Sequence, residues 1–142
     1  MKKTSLILMG ILILSLLGLA GCSYLQSKKA EAGNSIDFEV VDPYLAEAEL
    51  ADWYEEFMQK KGIHRLDQGD FTYILVSDGE KTSGGYVLEI KAVSADTETL
   101  KVDAVLTSPG ADDMTITVIT YPAALIRIEQ DARAVELVLE NK

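Results

Sequence analysis

Phe71-Thr72-Tyr73-Ile74-Leu75-Val76-Ser77 is the stretch on which the fold turns. Its period is two, yet both sets of alternating positions are largely apolar: Phe71, Tyr73 and Leu75 on one side, Ile74 and Val76 on the other. A strand with apolar residues on both faces reads this way, so residues 71–77 are expected to be central. Working outward, Tyr86, Leu88, Ile90 and Ala92 alternate with Val87, Glu89 and Lys91, and Leu100, Val102, Ala104 and Leu106 alternate with Lys101, Asp103 and Val105. These two runs predict an antiparallel hairpin. Keeping both apolar sets on one face requires an even sum of paired positions, and placing Leu88 opposite Leu106 also places Lys91 opposite Asp103. A slip of two would oppose Lys91 to Lys101 and Glu89 to Asp103, which like charges disfavour. Further strands are expected at Thr115 to Tyr121, at Leu125 to Glu129 and through Val135, Leu137 and Leu139.

Before the first strand the period is helical. Ile36 to Val41 is a short β-prone run, and Asp42-Pro43 then offers an N-cap followed by proline at the first helical position. A helix is predicted from Pro43 to Lys61. Ala46, Leu50, Trp53, Phe57 and Lys61 share a face, and Gly62 can cap. The fold class is α+β: an N-terminal amphipathic helix packed on a small antiparallel β-sheet or sandwich.

The chain has 142 residues and a single cysteine, Cys22. Met1-Lys2-Lys3, the apolar run Leu6 to Leu17 and the small residues Ala20 and Gly21 form the three parts of a secretory signal. The apolar run is shorter than the ~20 residues of a bilayer span. Leu19-Ala20-Gly21-Cys22 resembles the lipobox of bacterial lipoproteins, which implies a diacylglycerol on Cys22, cleavage after residue 21 and an extracytoplasmic, membrane-anchored protein. Acyl chains bind a bilayer by about 0.8 kcal/mol per buried CH2. Residues 22–35 are then lipidated cysteine and flexible tether, reaching roughly 20 Å by random-coil scaling. Residues 36–142 form a single domain.

The 13 Lys and Arg, less Lys2 and Lys3, leave 11 against 23 Asp and Glu, a formal charge of −12 after cleavage. Such a surface repels phosphate backbones and anionic headgroups, so nucleic acid is excluded as a partner and the membrane is met through the lipid. With Cys22 consumed, no thiol remains for a disulfide, a zinc site or a nucleophile. His64, the only histidine, lacks a nucleophile elbow around Ser83 or Ser94 and reads as a solvated or locally hydrogen-bonded imidazole. Asp112-Asp113 after a Pro-Gly turn lacks the ordered acidic spacing of a calcium loop. No cofactor, metal site or catalytic set is expected, and the chain does not read as an enzyme.

Asp78-Gly79-Glu80-Lys81-Thr82-Ser83-Gly84-Gly85-Tyr86 is the most unusual polar segment. A phosphate loop needs lysine straight after its last glycine and then a helix, whereas here a strand follows. The segment is either an ordinary strand connection whose glycines supply positive φ, or a protruding loop whose Gly84-Gly85 backbone approaches a partner with Tyr86 as aromatic anchor. Tyr121-Pro122 interrupts the β pattern and argues for an edge or a bend, a cis bond being one way to make it.

Gly79 to Tyr86, then Ile90, Ser108-Pro109-Gly110, and Ile119-Thr120-Tyr121-Pro122 with Ile126 and Ile128 resemble, in that order over about residues 70–130, the C-terminal domain of the protease complex subunit PrcB family. The family pattern places proline then threonine where this chain has Thr82 and Ser83, and an aromatic where it has Ala123. The resemblance implies a non-catalytic envelope lipoprotein that associates with a secreted protease or other surface protein. Its partner-binding residues would be Gly79, Lys81, Ser83, Gly84, Gly85, Tyr86, Tyr121 and Pro122. Ser83-Gly84-Gly85-Tyr86 is also similar to the loop of chagasin-like cysteine protease inhibitors, implying a direct inhibitor. A binder of a small ligand or cell-wall glycan, with the glycine loop as pocket rim, is the remaining alternative.

Overall fold

A computed structural model describes residues 34–142; the signal segment, Cys22 and most of the expected tether lie outside the described residues. Eight strands form two four-stranded sheets. One has the order β1 (Asn34–Ser35), β5 (Val87–Ala95), β6 (Thr99–Thr107), β8 (Ala134–Asn141); the other has the order β2 (Glu39–Val40), β7 (Ala123–Glu129), β4 (Phe71–Ser77), β3 (Gly62–Gln68). The only helices described are a 3-10 turn at Pro43–Leu45 and α1 (Ala48–Phe57). The fold is therefore mainly β, with one short helix.

β4 has the boundaries and the central place that its sequence predicts, between β3 and β7. Its two apolar faces serve two interfaces. Ile74 and Val76 join Ile126 and Ile128 of β7 against Leu88, Val93, Leu100, Val102 and Leu106 of the other sheet, closing a sandwich. Leu75 points the other way and, with Leu125, meets Leu50 and Tyr54 of α1. At roughly 1.5–3 kcal/mol for each fully buried aliphatic side chain, these two layers account for the main driving force of folding.

The expected helix over 43–61 is shorter and interrupted. The Asp42 carboxylate accepts from Tyr44 N at 3.0 Å, the predicted cap, but it caps only the 3-10 turn. Ala46 and Glu47 are extended (ψ 172° and 149°), and α1 starts after them. It ends early because Gly62 already pairs with Ser77 in the β3–β4 ladder, a strand that the sequence reading left unassigned. The Ser77 hydroxyl donates to the Met58 carbonyl and so caps the helix end. Trp53 is half-buried, its ring centroid 5.4 Å from that of Phe57, within the layer over Leu75 and Leu125.

The β5–β6 hairpin holds Leu88 opposite Leu106, as charge and apolar pairing require. Beyond Ile90 the register shifts: Asp103 faces Ala92, not the expected Lys91. Lys91 is the extra residue of a β-bulge, and its ammonium turns to Glu89 at 2.6 Å. The bulge changes parity along β5. Leu88 and Ile90 face inward before it, Val93 and Ala95 after it, while β6 keeps Leu100, Val102, Ala104 and Leu106 inward throughout.

β8 runs parallel to β6, where antiparallel pairing was expected. The chain leaves β6, crosses the sandwich to form β7 in the opposite sheet and returns, so β8 enters in the direction of β6. Such a crossover is what a parallel pair requires. Asn34 and Ser35, expected in the tether, pair with Ala95 and Ser94. At the end of the sandwich, Arg65 donates to the Arg133 carbonyl at 2.6 Å and to Asp67, and buried Thr72 bonds Asp67 Oδ1 at 2.7 Å and accepts from Asp131 N at 3.1 Å. This network fastens β3, β4 and the β7–β8 connection.

Candidate functional site

The segment Thr115 to Tyr121 is not the strand its alternation predicts. It runs over the surface beside the Gly79–Tyr86 loop, and Met114, Ile116, Val118 and Ile119 are exposed (102, 71, 41 and 59 %). Its β-prone residues find no full-length partner strand among the described residues. They make a short clasp instead.

Four groups of contacts build that clasp. Asp78 N donates to the Pro122 carbonyl at 3.0 Å, Lys81 and Thr120 exchange backbone hydrogen bonds at 2.8 and 3.0 Å, and Gly84 N donates to the Ile116 carbonyl at 3.1 Å. The Thr120 hydroxyl donates to the Ser83 carbonyl at 2.8 Å. Seven of the eight predicted binding residues, Gly79, Lys81, Ser83, Gly84, Gly85, Tyr121 and Pro122, lie in or against this two-armed lobe, and Tyr86 sits at its base. Sequence reasoning linked the arms only through family resemblance; Ile116 and Thr120 were missed as site members because alternation suggested a sheet strand over 115–121, and Met114, just before it, carried no signal.

Two glycines are required by geometry. Gly79 has φ +71° and a Cβ there would lie 3.3 Å from Lys61 Cβ; Gly85 has φ +93° and a Cβ would stand 3.0 Å from Pro109 Cβ. Gly84 has room for a side chain, with Ile116 Cγ1 at ordinary contact distance, 3.5 Å. The close approach that the glycine pair was expected to offer a partner is thus used at Gly85 within the chain itself, by the Ser108-Pro109-Gly110 corner. Gly84, Gly85, Pro109, Met114, Thr115 and Ile116 line a shallow open cleft of about 420 Å³.

Asp78 is the electrostatic centre of the loop, and the sequence offers as its only sign a lysine three residues on. Its side chain is 2 % exposed and carries Lys61 Nζ at 2.6 Å and Lys81 Nζ at 2.5 Å. Burial by itself would raise the Asp78 carboxyl, but the two ammonium groups outweigh it and hold the group below the usual carboxylate range. Lys81 also lies 5.2 Å from the Tyr86 ring centroid. Tyr86 is half-buried against the sandwich core, so its ring supports the loop more than it projects from it. Tyr121 donates to Glu80 Oε2 at 3.3 Å; burial and the negative Glu80 raise its phenol above the ordinary value. Pro122 is buried, and no peptide bond among the described residues is cis, so the bend at Tyr121-Pro122 is made without one.

His64 lies on β3, its Nε2 2.7 Å from the Lys60 carbonyl and its ring 5.0 Å from Phe57. Asp113 binds its own turn, accepting from Gly110 N at 2.6 Å. Among the described residues no group of three or more His, Cys, Asp or Glu side chains is placed to hold a metal ion.

These features define a β-sandwich domain that presents a clasped glycine loop at its surface. Residues 72–129 match the family described as PrcB C-terminal. The match begins in β4 and ends in β7, so it encloses both arms of the clasp. Neither the curated proteins nor the solved structures give a match to the chain.

Proposed function

We propose that the chain is a non-catalytic binding module of the bacterial envelope that associates with a secreted protease or other surface protein through the Gly79–Tyr86 loop and the adjoining Tyr121-Pro122. The observation that carries this reading is the coincidence of the PrcB C-terminal match with the clasp: residues 72–129 contain both arms and the β-strands that hold them. The match to that family suggests a subunit associated with a protease complex. The lipobox resemblance at Cys22 adds the address, a lipid anchor that holds the module at the membrane.

Affinity capture from envelope extracts tests this, with the full chain immobilised beside its Gly85→Val and Tyr86→Ala forms and bound proteins read by mass spectrometry. Recovery of a secreted protease by the unmodified chain, with loss in both folded variants, is the expected result. Equal recovery by all three forms removes the loop from the interface. Assay of the recovered protease then separates adaptor from inhibitor: full activity in the complex excludes inhibition of that enzyme.

A further inference from the structure

The outer arm of the clasp carries an unfilled β-edge. Between Met114 and Ile119, among the described residues, no backbone N–H donates to another backbone group and only the Ile116 carbonyl accepts from one. Ile116 and Thr120, both even-numbered, turn their paired groups toward the Gly79–Tyr86 loop. By strand alternation Thr115, Thr117 and Ile119 turn theirs away from it. Met114, Ile116 and Val118 form an exposed aliphatic row along the same arm. An extended segment with open backbone groups and alternating apolar side chains is the template onto which another strand adds.

Charge selects the occupant. Residues 79–86 and 108–122 carry Glu80, Asp112 and Asp113 against the single cation Lys81, and Lys81 is already bound to buried Asp78. A second copy of this chain, formal charge −10, would bring the same carboxylates and a like net charge to the edge. We infer that residues 114–119 accept an extended, aliphatic and lysine- or arginine-bearing segment of a partner protein as an added β-strand, its apolar side chains on Met114, Ile116 and Val118 and its cations toward Asp112 and Asp113, with Glu80 adding to the negative field from across the arm. This inference rests on the binding-module reading and names the chemistry of the partner that the site takes.

The test uses the full chain in nonionic detergent and a short fluorescein-labelled peptide alternating valine and lysine, with binding read by anisotropy and amide hydrogen exchange read over residues 114–119. Two sister peptides carry glutamate in place of lysine, or N-methyl groups on alternate backbone amides. The lysine peptide should bind and slow exchange at Thr117 and Ile119, while each sister peptide binds at least about tenfold more weakly, roughly 1.4 kcal/mol. Added salt should weaken the lysine peptide, because the carboxylates it meets are exposed. Thr117→Pro, which removes an N–H that bonds no backbone group, should lower affinity by a similar factor. No binding of the lysine peptide, equal binding of either sister peptide, or binding without protection of 114–119 would each overturn the inference. Protease capture is scored separately. Capture with a failed peptide refutes the open edge alone, whereas peptide binding with failed capture refutes the protease partner alone.

Discussion

Deleting single residues around the β5 bulge tests the register argument. If Lys91 is the extra residue, removing it leaves Ile90 opposite Ala104, Ala92 opposite Asp103 and Val93 opposite Val102, with every inward side chain still inward. The losses are a strand irregularity and an exposed Lys91–Glu89 ion pair of about 0–1 kcal/mol. Deletion of Lys91 should therefore change stability by no more than about 1 kcal/mol. Deletion of Glu89 also yields an unbulged strand between Leu88 and Val93, but it turns Ile90 outward and brings Lys91 to the inner face opposite Ala104. Half-buried Ile90 then loses roughly 1–1.5 kcal/mol of burial. An ammonium group must also be desolvated or snorkel out of the sandwich, bringing the total to about 2–4 kcal/mol. Urea unfolding of both deletion forms, followed by the single tryptophan Trp53 and by far-ultraviolet circular dichroism, measures the difference. A Lys91 deletion as damaging as the Glu89 deletion would refute the parity argument, since it would mean that the bulge itself, not the inward alternation, holds the hairpin.

Three further outcomes are expected. Gly85→Val places a β-branched side chain at φ +93° with its Cβ 3.0 Å from Pro109, so it should destabilise the loop by about 2–4 kcal/mol, seen as faster amide exchange at Gly84 and Lys81; unchanged exchange would show that the loop relaxes freely. Leu75→Ala opens a cavity beneath α1 and should cost about 2–5 kcal/mol with loss of the folded Trp53 emission, and a smaller loss would mean that the helix layer closes over the gap. Acid should unfold the domain through carboxylates whose folded pKa is depressed. Asp131 is held at about 2 by Arg133, against the opposing effect of burial; Asp67 is lowered chiefly by its hydrogen bonds to Arg65 and Thr72, and Asp78 is lowered by Lys61 and Lys81 once they outweigh burial. Their stabilisation is complete above the unfolded value near about 4 and disappears as pH falls through the folded values, so the urea midpoint should drop from about pH 5 downward, less steeply in Asp131→Asn. A midpoint flat to about pH 2.5 would remove these groups from the stability of the fold.

Where the sequence predicted the structure well, local and long-range demands coincided. β4 needed cover on both faces and received it from α1 and the opposite sheet, so its limits and its central place were legible from Phe71 to Ser77 alone. The facing of Leu88 and Leu106 was legible because apolar pairing and charge pairing favour one register. The bulge at Lys91 was readable in principle, since Val93 and Ala95 are apolar and odd-numbered where Leu88 and Ile90 are even, but a two-residue period carried past Ile90 conceals the change. The length of the helix was misread for a different reason. The face of Ala46, Leu50, Trp53 and Phe57 is periodic, yet Gly62 to Gln68 pairs with β4 along its whole length and takes the chain out of the helix before Lys61. The parallel β6–β8 pair left no trace in local pattern, because strand direction is set by the excursion through β7.

The site was least legible where it is most distinctive. Thr115-Ile116-Thr117-Val118-Ile119-Thr120 has the β-branched alternation of a strand, and alternation is a statement about what the backbone can pair with, not about what is present to pair with it. Among the described residues this arm is paired only at Ile116 and Thr120, by a loop whose own path is dictated by Gly79, Gly85 and the Asp78 ion pairs. Asp112 and Asp113 before the arm and Pro122 after it are the kinds of residue that keep an exposed apolar edge from pairing indiscriminately. An exposed aliphatic arm that is flanked in this way, rather than buried, favours pairing with a cationic strand over pairing with an acidic or neutral one. The error in predicting a sheet strand at 115–121 and the proposal of an open edge at 114–119 therefore have one physical origin: the sequence encodes a strand that the described residues do not complete.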